Sequence, residues 1–235
     1  DGCEFILVFN DGNFSEDSTF LITDWFNHTP PEVLAKNFSV PQNTFDKVPK
    51  KDLWIFNAPV PGSLQDDLAQ SKQPNVPNPY SFAMLDEKPV FKSAGGSVRI
   101  ADKNNFKATT MAAALVEIEP GGMRELHWHP TSDEWQYYIS GTARMGVFHG
   151  EGRNNTVEFH PSDVGYIPQS IGHYVENIGK DTLRFLEVFT SAEYADVSLA
   201  SWMNNVPHEL VAAHLNVDLA TLQKLAQNKT PVVPL

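Results

Sequence analysis

Three histidines and one glutamate have spacings that suit a metal ion. His127 and His129 are two residues apart, so in a β-strand both side chains project from the same face. Glu134 follows a proline-containing turn that can bring it back beside the pair, and His173 lies in a later strand-like segment. Two solvent-facing histidines could show the same short spacing by chance, but the longer pattern favours a metal site. Such a nitrogen and carboxylate set favours Mn, Fe or Zn over Ca or Mg.

Arg124 is a candidate for binding an anionic substrate at this metal. A small dianion that approaches a chain of net charge −12 needs local positive charge, and Arg124 lies close to the histidine pair. Simple strand alternation points Arg124 away from His127, so the role requires a kink or bulge at Gly121 and Gly122. Without that irregularity, Arg124 would be a surface arginine.

Glu187 is a charged residue within the apolar run FLEVF. Burial near a metal could make this carboxyl group a proton donor or acceptor. The matching position in an internal repeat is Leu7, so the fold tolerates an apolar side chain there. The alternative is a structural ion pair between Glu187 and Arg144 or Arg184.

The segments around these residues are strand-like. Short apolar and aromatic runs, separated by Gly, Pro, Asn and Asp, recur between Ser81 and Thr190. This spacing predicts a mainly β protein built as an antiparallel sandwich or barrel. Apolar residues at helical spacing between Leu210 and Leu225 predict short helices after the last strand.

Part of the chain repeats itself. Residues 23–40 (TDWFNHTPPEVLAKNFSV) recur as residues 200–217 (ASWMNNVPHELVAAHLNV). Upstream, the run FILVF at 5–9 matches FLEVF at 185–189. The second copy closes a domain that has many earlier strands, whereas the first copy has almost none before it.

The repeat predicts three regions. Residues 1–45 should be the closing strand, lid loop and helices of an upstream domain that this chain lacks. Residues 46–80 are rich in proline and predict an extended connector. Residues 81–235 should form the metal-binding domain with its C-terminal helices.

Composition excludes several classes of function. The 235 residues are 41% hydrophobic and 20% charged, as in ordinary globular proteins, and no apolar run reaches the roughly 18 residues of a membrane span. The net charge of −12 argues against a nucleic-acid partner. Five Asn-x-Ser/Thr sequons indicate a secreted or cell-wall-associated glycoprotein, with a soluble intracellular location as the alternative. The sequons lie at Asn13, Asn27, Asn37, Asn154 and Asn228.

Two spaced patterns in the chain resemble the two sequence motifs of the cupins. The first is Gly121-x5-His127-x-His129-x4-Glu134-x6-Gly141, and the second is Pro168-x4-His173-x3-Asn177. The chain departs from the second motif at Ser162, where Gly is usual, and at Gly172, which stands beside the histidine. Both are turn positions, so the departures leave the four metal ligands in place.

The wider sequence, including EWQYYISG, DVGYIP and YADVSL, resembles the second half of the fungal-type bicupin oxalate decarboxylases. The resemblance implies a double-stranded β-helix, the jelly-roll barrel of cupins, with short appended helices. It also implies Mn2+ as the metal, dioxygen as co-catalyst, and oxalate as a substrate that is split to formate and CO2. Arg124 would polarise the substrate and Glu187 would move the proton.

The same resemblance gives roles to two further residues and leaves other functions open. Glu16 would be the proton donor on a lid over the metal of the missing first cupin, and Tyr194 resembles a tyrosine that supports the site. An ordinary half-buried tyrosine is the alternative for Tyr194. A homo-oligomer, or association with a first-cupin fragment, is expected. An oxalate oxidase that produces peroxide, or a non-catalytic metal-bearing storage or assembly cupin, remains possible.

Overall fold

The protein is described here by a computed structural model, which covers residues 2–15, 18–70, 80–224 and 229–234. The chain divides into two compact units, residues 1–75 and 76–235. Within the described ranges, no helix has the length and apolar character needed to cross a membrane.

The first unit contains short helices. They are α1 (Ile22–Asn27), α2 (Pro31–Phe38), a 3-10 turn (Gln42–Phe45) and α3 (Leu64–Gln70). The rings of Phe26, Phe38 and Phe45 pack on one another with centroids 5.1 to 5.7 Å apart. Leu34 on α2 is buried beneath its neighbours. These apolar contacts hold α1, α2 and the 3-10 turn together.

The secondary structure of this unit differs from the sequence prediction at two places. Residues 5–9 form no strand, and Phe5 and Leu7 are more than 60% exposed. A strand needs a hydrogen-bonding neighbour, and the described sheets contain only residues of the range 91–233. The connector is not extended throughout, because α3 interrupts it. The hydroxyl of Ser63 accepts a hydrogen bond from the Asp66 backbone N–H at 3.2 Å and so caps the start of α3. The prediction of an extended connector rested on the proline content and did not consider this cap.

The second unit consists mainly of strands, all paired in antiparallel fashion. They are β1 (Phe91–Ser93), β2 (Gly96–Ala101), β3 (Ala112–Ile118), β4 (Met123–Trp128), β5 (Glu134–Ser140), β6 (Ala143–Gly150), β7 (Arg153–Phe159), β8 (Val164–Ile167), β9 (Gly172–Asn177), β10 (Leu183–Phe189), β11 (Val197–Ser198) and β12 (Val232–Val233). One sheet has the order β1-β2-β3-β10-β5-β8, and the other has the order β11-β4-β9-β6-β7, with β12 beside β4. The predicted mainly β, antiparallel architecture is confirmed.

The core lies between the two sheets and follows the two-residue period of the strands. On β3, alternate residues from Ala112 to Ile118 are fully buried. The ring of Tyr138 stacks on Phe159 at 4.4 Å and on Phe185 at 5.3 Å. Each sheet therefore turns one apolar face inward, and polar side chains that share this face stand out as candidates for function.

Two turns with unusual backbone geometry frame the motif strands. Gly141, between β5 and β6, has a φ of +86°, and a Cβ there would lie 2.7 Å from the Cα of Leu183. Only glycine fits this close approach. Ser162, between β7 and β8, has a φ of +77°, so a serine adopts the left-handed conformation that the motif usually gives to glycine. The turn is kept despite the substitution.

The internal repeat is visible in the helices that follow the second copy. They are α4 (Leu199–Asn204), α5 (His208–Leu215) and α6 (Leu219–Leu222). α4 and α5 start and end 177 residues after α1 and α2, respectively. α2 and α5 both end at a left-handed residue, Ser39 (φ 55°) and Asn216 (φ 53°). The repeated sequence therefore forms the same helix pair twice, whereas the assignment of residues 1–45 to an upstream domain stays a prediction.

Candidate metal centre

The four predicted ligands come together inside the second unit. His127 on β4 lies directly opposite His173 on β9, His129 follows β4, and Glu134 begins β5. All four side chains are buried, and one donor atom from each lies within 4.8 Å of the others. The two antiparallel sheets thus collect residues that are up to 46 positions apart in the chain.

The hydrogen bonds of the imidazoles prepare the other ring nitrogens for a metal. Nδ1 contacts a backbone carbonyl oxygen at 2.6 Å in His127, 2.8 Å in His129 and 3.0 Å in His173. A carbonyl only accepts, so each Nδ1 carries the proton and each Nε2 presents a lone pair. The three Nε2 atoms and Oε2 of Glu134 have no hydrogen-bond partner among the described residues. A metal cation would satisfy all four atoms, and the donor set fits one.

Electrostatics in the cluster also favour a cation. Oε2 of Glu134 lies 2.9 Å from Nε2 of His173 and 3.2 Å from Nε2 of His129, without hydrogen-bond alignment. Burial raises the pKa of Glu134, but the two histidines outweigh burial and hold that pKa well below its usual value. Burial lowers the pKa of His127 well below its usual value. Burial also lowers the pKa of His129, but the Glu134 carboxylate outweighs it and raises that pKa. The buried carboxylate needs a neighbouring positive charge, which a protonated histidine or a bound metal cation can supply.

Two residues that sequence reasoning missed hold Glu134 in place. The amide Nε2 of Gln136 donates to Oε1 of Glu134 at 2.6 Å, and the Tyr138 hydroxyl donates to Oε1 of Gln136 at 2.7 Å. All three residues alternate on the inward face of β5 and are almost completely buried. The two-residue strand period, counted from Glu134, was a signal that could have identified them.

Replacing Gln136 with Leu should weaken the binding of a first-row divalent metal ion by about 10- to 100-fold, because Glu134 would lose the donor that orients it. Competition of the purified chain with a chelator would measure the change. Gln223→Leu, on the exposed surface at the end of α6, is the matched control and should leave affinity unchanged. Equal affinities for both variants would show that the hydrogen bond does not orient the ligand.

The structure brings Arg124 to the inward face by a bulge in β4. Between Arg124 and His127 the pairing of β4 with β9 shifts register, because three steps on β4 oppose two on β9. Both side chains therefore point inward despite their odd spacing. The bulge was expected at Gly121 and Gly122, but it follows Arg124 instead. Arg124 is 0% exposed, which excludes the surface alternative.

The guanidinium of Arg124 is held at one end and free at the other. Nη2 donates to the Tyr194 hydroxyl at 2.9 Å and to Oδ2 of Asp196 at 2.6 Å, while Nη1 donates to the Pro231 carbonyl at 3.3 Å. Nε has no hydrogen-bond partner in the described part of the chain and lies 3.8 Å from Oε1 of Glu187. The free N–H therefore faces the region between Arg124 and Glu187.

Glu187 is a fully buried glutamate on β10. It lies opposite Gln136 of β5, so it shares the inward face that carries Glu134. Neither carboxyl oxygen has a hydrogen-bond partner among the described residues. Burial and the charge of Glu134 raise the pKa of Glu187 to about 8, against the opposing effect of Arg124. A raised pKa favours the protonated carboxyl group, which can act as a proton donor.

The alternative ion pairs for Glu187 are not formed. Arg144 contacts Glu158 at 2.7 Å, and Arg184 contacts Glu117 at 2.6 Å. Both arginines thus have other acidic partners. The arginine that approaches Glu187 is Arg124, at 3.8 Å.

Tyr194 lies in the segment that follows β10 and contacts the site. Its hydroxyl accepts a hydrogen bond from Arg124. Its ring centroid lies 5.2 Å from that of Phe189 and 5.7 Å from that of His129. Burial raises the pKa of Tyr194 well above its usual value, so the hydroxyl keeps its proton. Glu16, the predicted lid residue, lies outside the described residues.

The architecture and donor set are those of a known family. The cupin family model matches residues 82–223, and the chain belongs to the cupins. The chain is 50% identical over 234 residues to oxalate decarboxylase OxdC of Bacillus subtilis, an alignment that covers 99% of this chain and 60% of that protein. It is 38% identical over 233 residues to a probable oxalate decarboxylase of the fungus Arthroderma benhamiae, covering 98% and 57%.

A solved structure agrees with these sequence relationships. The structure comes from work on the Mn(II) centres of Bacillus subtilis oxalate decarboxylase, and it matches this chain with a TM-score of 0.89 and 49% sequence identity. The match covers 95% of this chain and 59% of that one. The chain thus spans about 60% of the length of the curated relatives it matches.

Proposed function

We propose that this chain forms the second-cupin part of a Mn2+-dependent oxalate decarboxylase, which splits hydrogen oxalate into formate and CO2. The observation that carries the proposal is a buried donor set of three histidines and one glutamate on the same inward face as Arg124 and Glu187. The names of the similar bacterial and fungal proteins support the choice of reaction and substrate.

The metal would be held by the four clustered residues. His127, His129 and His173 offer neutral nitrogen ligands, and Glu134 offers the anionic oxygen. When bound there, Mn2+ would supply positive charge for an anionic substrate and the capacity for one-electron chemistry. The hydrogen bonds to Nδ1 keep each imidazole in the tautomer that such binding needs.

Arg124 would bind and orient the substrate. A net charge of −12 repels an oxalate anion at long range, so a buried guanidinium offers local compensation. Its Nε is the group that lacks a partner within the described ranges, and a carboxylate of oxalate can accept from it. Binding through one N–H would hold the substrate beside Glu187.

Glu187 would move the proton of the reaction. Hydrogen oxalate, HC2O4−, gives HCO2− and CO2, so a C–C bond breaks, a C–H bond forms, and no proton or electron is consumed overall. Glu187 can deliver its proton to the carbon that becomes formate and regain one from the acidic group of the substrate. An oxidase has no need of this protonation, so the buried carboxyl group favours decarboxylation over peroxide formation.

A product assay tests the proposal. The chain loaded with Mn2+ would be incubated with oxalate and assayed for formate and peroxide, with the metal-free chain as control. We expect formate well in excess of peroxide, at a low rate, because the family resemblance ties efficient decarboxylation to the lid glutamate, Glu16, and its own metal. Peroxide in the amount of oxalate consumed, or no oxalate binding, would contradict the proposal.

The repeated helix pair supports a second proposal, on assembly. We propose that residues 1–45 pack on strands of another cupin unit, supplied by a further polypeptide segment or a second copy of the chain. Exposed apolar side chains such as Phe5, Trp25 and Ile22 suit such packing. If a second copy supplies these strands, sedimentation of the purified chain should show a species larger than the monomer.

Secretion and glycosylation also remain proposals. The side chains of Asn13, Asn37 and Asn154 are exposed, as a glycan acceptor requires, whereas Asn228 lies outside the described residues. A mass decrease after glycosidase treatment of the natural protein would support them.

A further inference from the structure

We propose that Asp196 is a positioning residue that fixes the guanidinium of Arg124, and that Lys229 holds Asp196 in place. The inference rests on the proposed role of Arg124 in binding oxalate. It adds to the site two residues that neither motif contains.

Asp196 makes the shortest charged contact of Arg124. Its Oδ2 lies 2.6 Å from Nη2, whereas the nearest contacts of Arg124 to Glu187 and Glu125 are 3.8 and 3.9 Å. The Asp196 side chain is 4% exposed, so this charge-assisted hydrogen bond is shielded from water. Together with Tyr194, it takes up both hydrogens of Nη2 and fixes the rotation of the guanidinium.

Lys229 completes the arrangement from the C-terminal segment. Its Nζ contacts Oδ1 of Asp196, so one carboxylate is shared between two cations. Burial raises the pKa of Asp196, but Arg124 and Lys229 outweigh burial and hold that pKa below its usual value. A cavity of about 240 Å³ borders Tyr194, Asp196 and Lys229. The Asp196 side chain therefore has space beside it, and its contact with Lys229 opposes a rotation away from Arg124.

The position of Arg124 between two carboxyl groups explains what Asp196 does for the site. Asp196 holds the Nη end, and Glu187 lies 3.8 Å from Nε without a hydrogen bond. Without the hydrogen bond to Asp196, the guanidinium could rotate until Nε donates to a carboxyl oxygen of Glu187 and closes the gap. Nε would then be occupied and Glu187 would be engaged, so neither group would be available to a substrate. Asp196 keeps the two proposed functional groups apart.

The test uses the full chain loaded with Mn2+ and the variant Asp196→Asn, with Asp86→Asn at an exposed position as the matched control. Calorimetry would measure the dissociation constant for oxalate per bound Mn2+, and crystal structures would give the distance from Nε of Arg124 to Oε1 of Glu187. We expect unchanged Mn2+ content, oxalate binding weakened about tenfold, and a hydrogen bond between Arg124 and Glu187 in the variant. Unchanged oxalate binding with Arg124 in place would overturn the inference. A lower Mn2+ content with a normal oxalate dissociation constant per bound Mn2+ would also overturn it.

A second pair of variants acts from the more exposed side, where folding is less at risk. Lys229→Met should weaken oxalate binding about threefold at normal Mn2+ content, and Lys229→Arg should restore it. No effect of Lys229→Met would refute the part assigned to Lys229, and this variant decides the inference if Asp196→Asn does not fold. Should the unmodified chain fail to bind oxalate, the proposed function fails. The crystallographic position of Arg124 in Asp196→Asn would still decide whether Asp196 positions it.

Discussion

Replacing Glu134 with Gln should lower the affinity of the chain for Mn2+ by on the order of a hundredfold or more. Glu134 provides the anionic oxygen of the donor set, and the other three donors are imidazoles. Gln preserves the shape of the side chain and can still accept the hydrogen bond from Gln136, so the loss would come from the charge and the ligand atom. Metal analysis after dialysis against a chelator would measure it.

The matched control for this variant is Glu158→Gln, on the exposed edge strand β7, where the glutamate forms an ion pair with the surface residue Arg144. Surface ion pairs of this kind contribute little, so Mn2+ content and stability should stay at the unmodified level. If Glu134→Gln retains Mn2+ as firmly as the control does, the metal is bound elsewhere. The carboxylate would then have only a structural role beside the histidines.

The metal ligands could be predicted from the sequence because the relevant geometry is local. His127 and His129 share a face through the strand period, and the spacing to Glu134 spans a single turn. His173 could be placed on a neighbouring strand, but its position directly opposite His127 depends on the pairing of β4 with β9, which residue spacing alone does not determine.

The contacts around Arg124 could not be predicted, for physical reasons. A bulge depends on how two strands pair, so its place after Arg124 rather than at the glycines is a tertiary property. Asp196 lies about 70 residues further on, and Lys229 more than 100, in segments without regular alternation, and only the family resemblance pointed to Tyr194. The strand expected at 5–9 failed for a related reason, since an apolar run forms a strand only where a partner offers hydrogen bonds.

Replacing Glu187 with Gln should abolish the formate production proposed for the chain while leaving Mn2+ in place. Glu187 is not among the four clustered donors, and its carboxyl oxygens have no hydrogen-bond partner in the described ranges, so the fold does not depend on its charge. Gln has the same shape but carries no acidic proton. Loss of a positioned general acid typically lowers the rate by about 10² to 10⁴.

Three measurements on Glu187→Gln separate proton transfer from binding. Mn2+ content and the dissociation constant for oxalate should match those of Glu158→Gln, whereas formate should fall to the level of the metal-free chain. A shift of product from formate to peroxide would agree with the same role, because oxidation proceeds without protonation at carbon. Formate made at the unmodified rate would show that another group donates the proton. Glu187 would then be a buried neighbour of Arg124, and Glu16, on the lid that the sequence predicts, would be the next candidate for the proton donor.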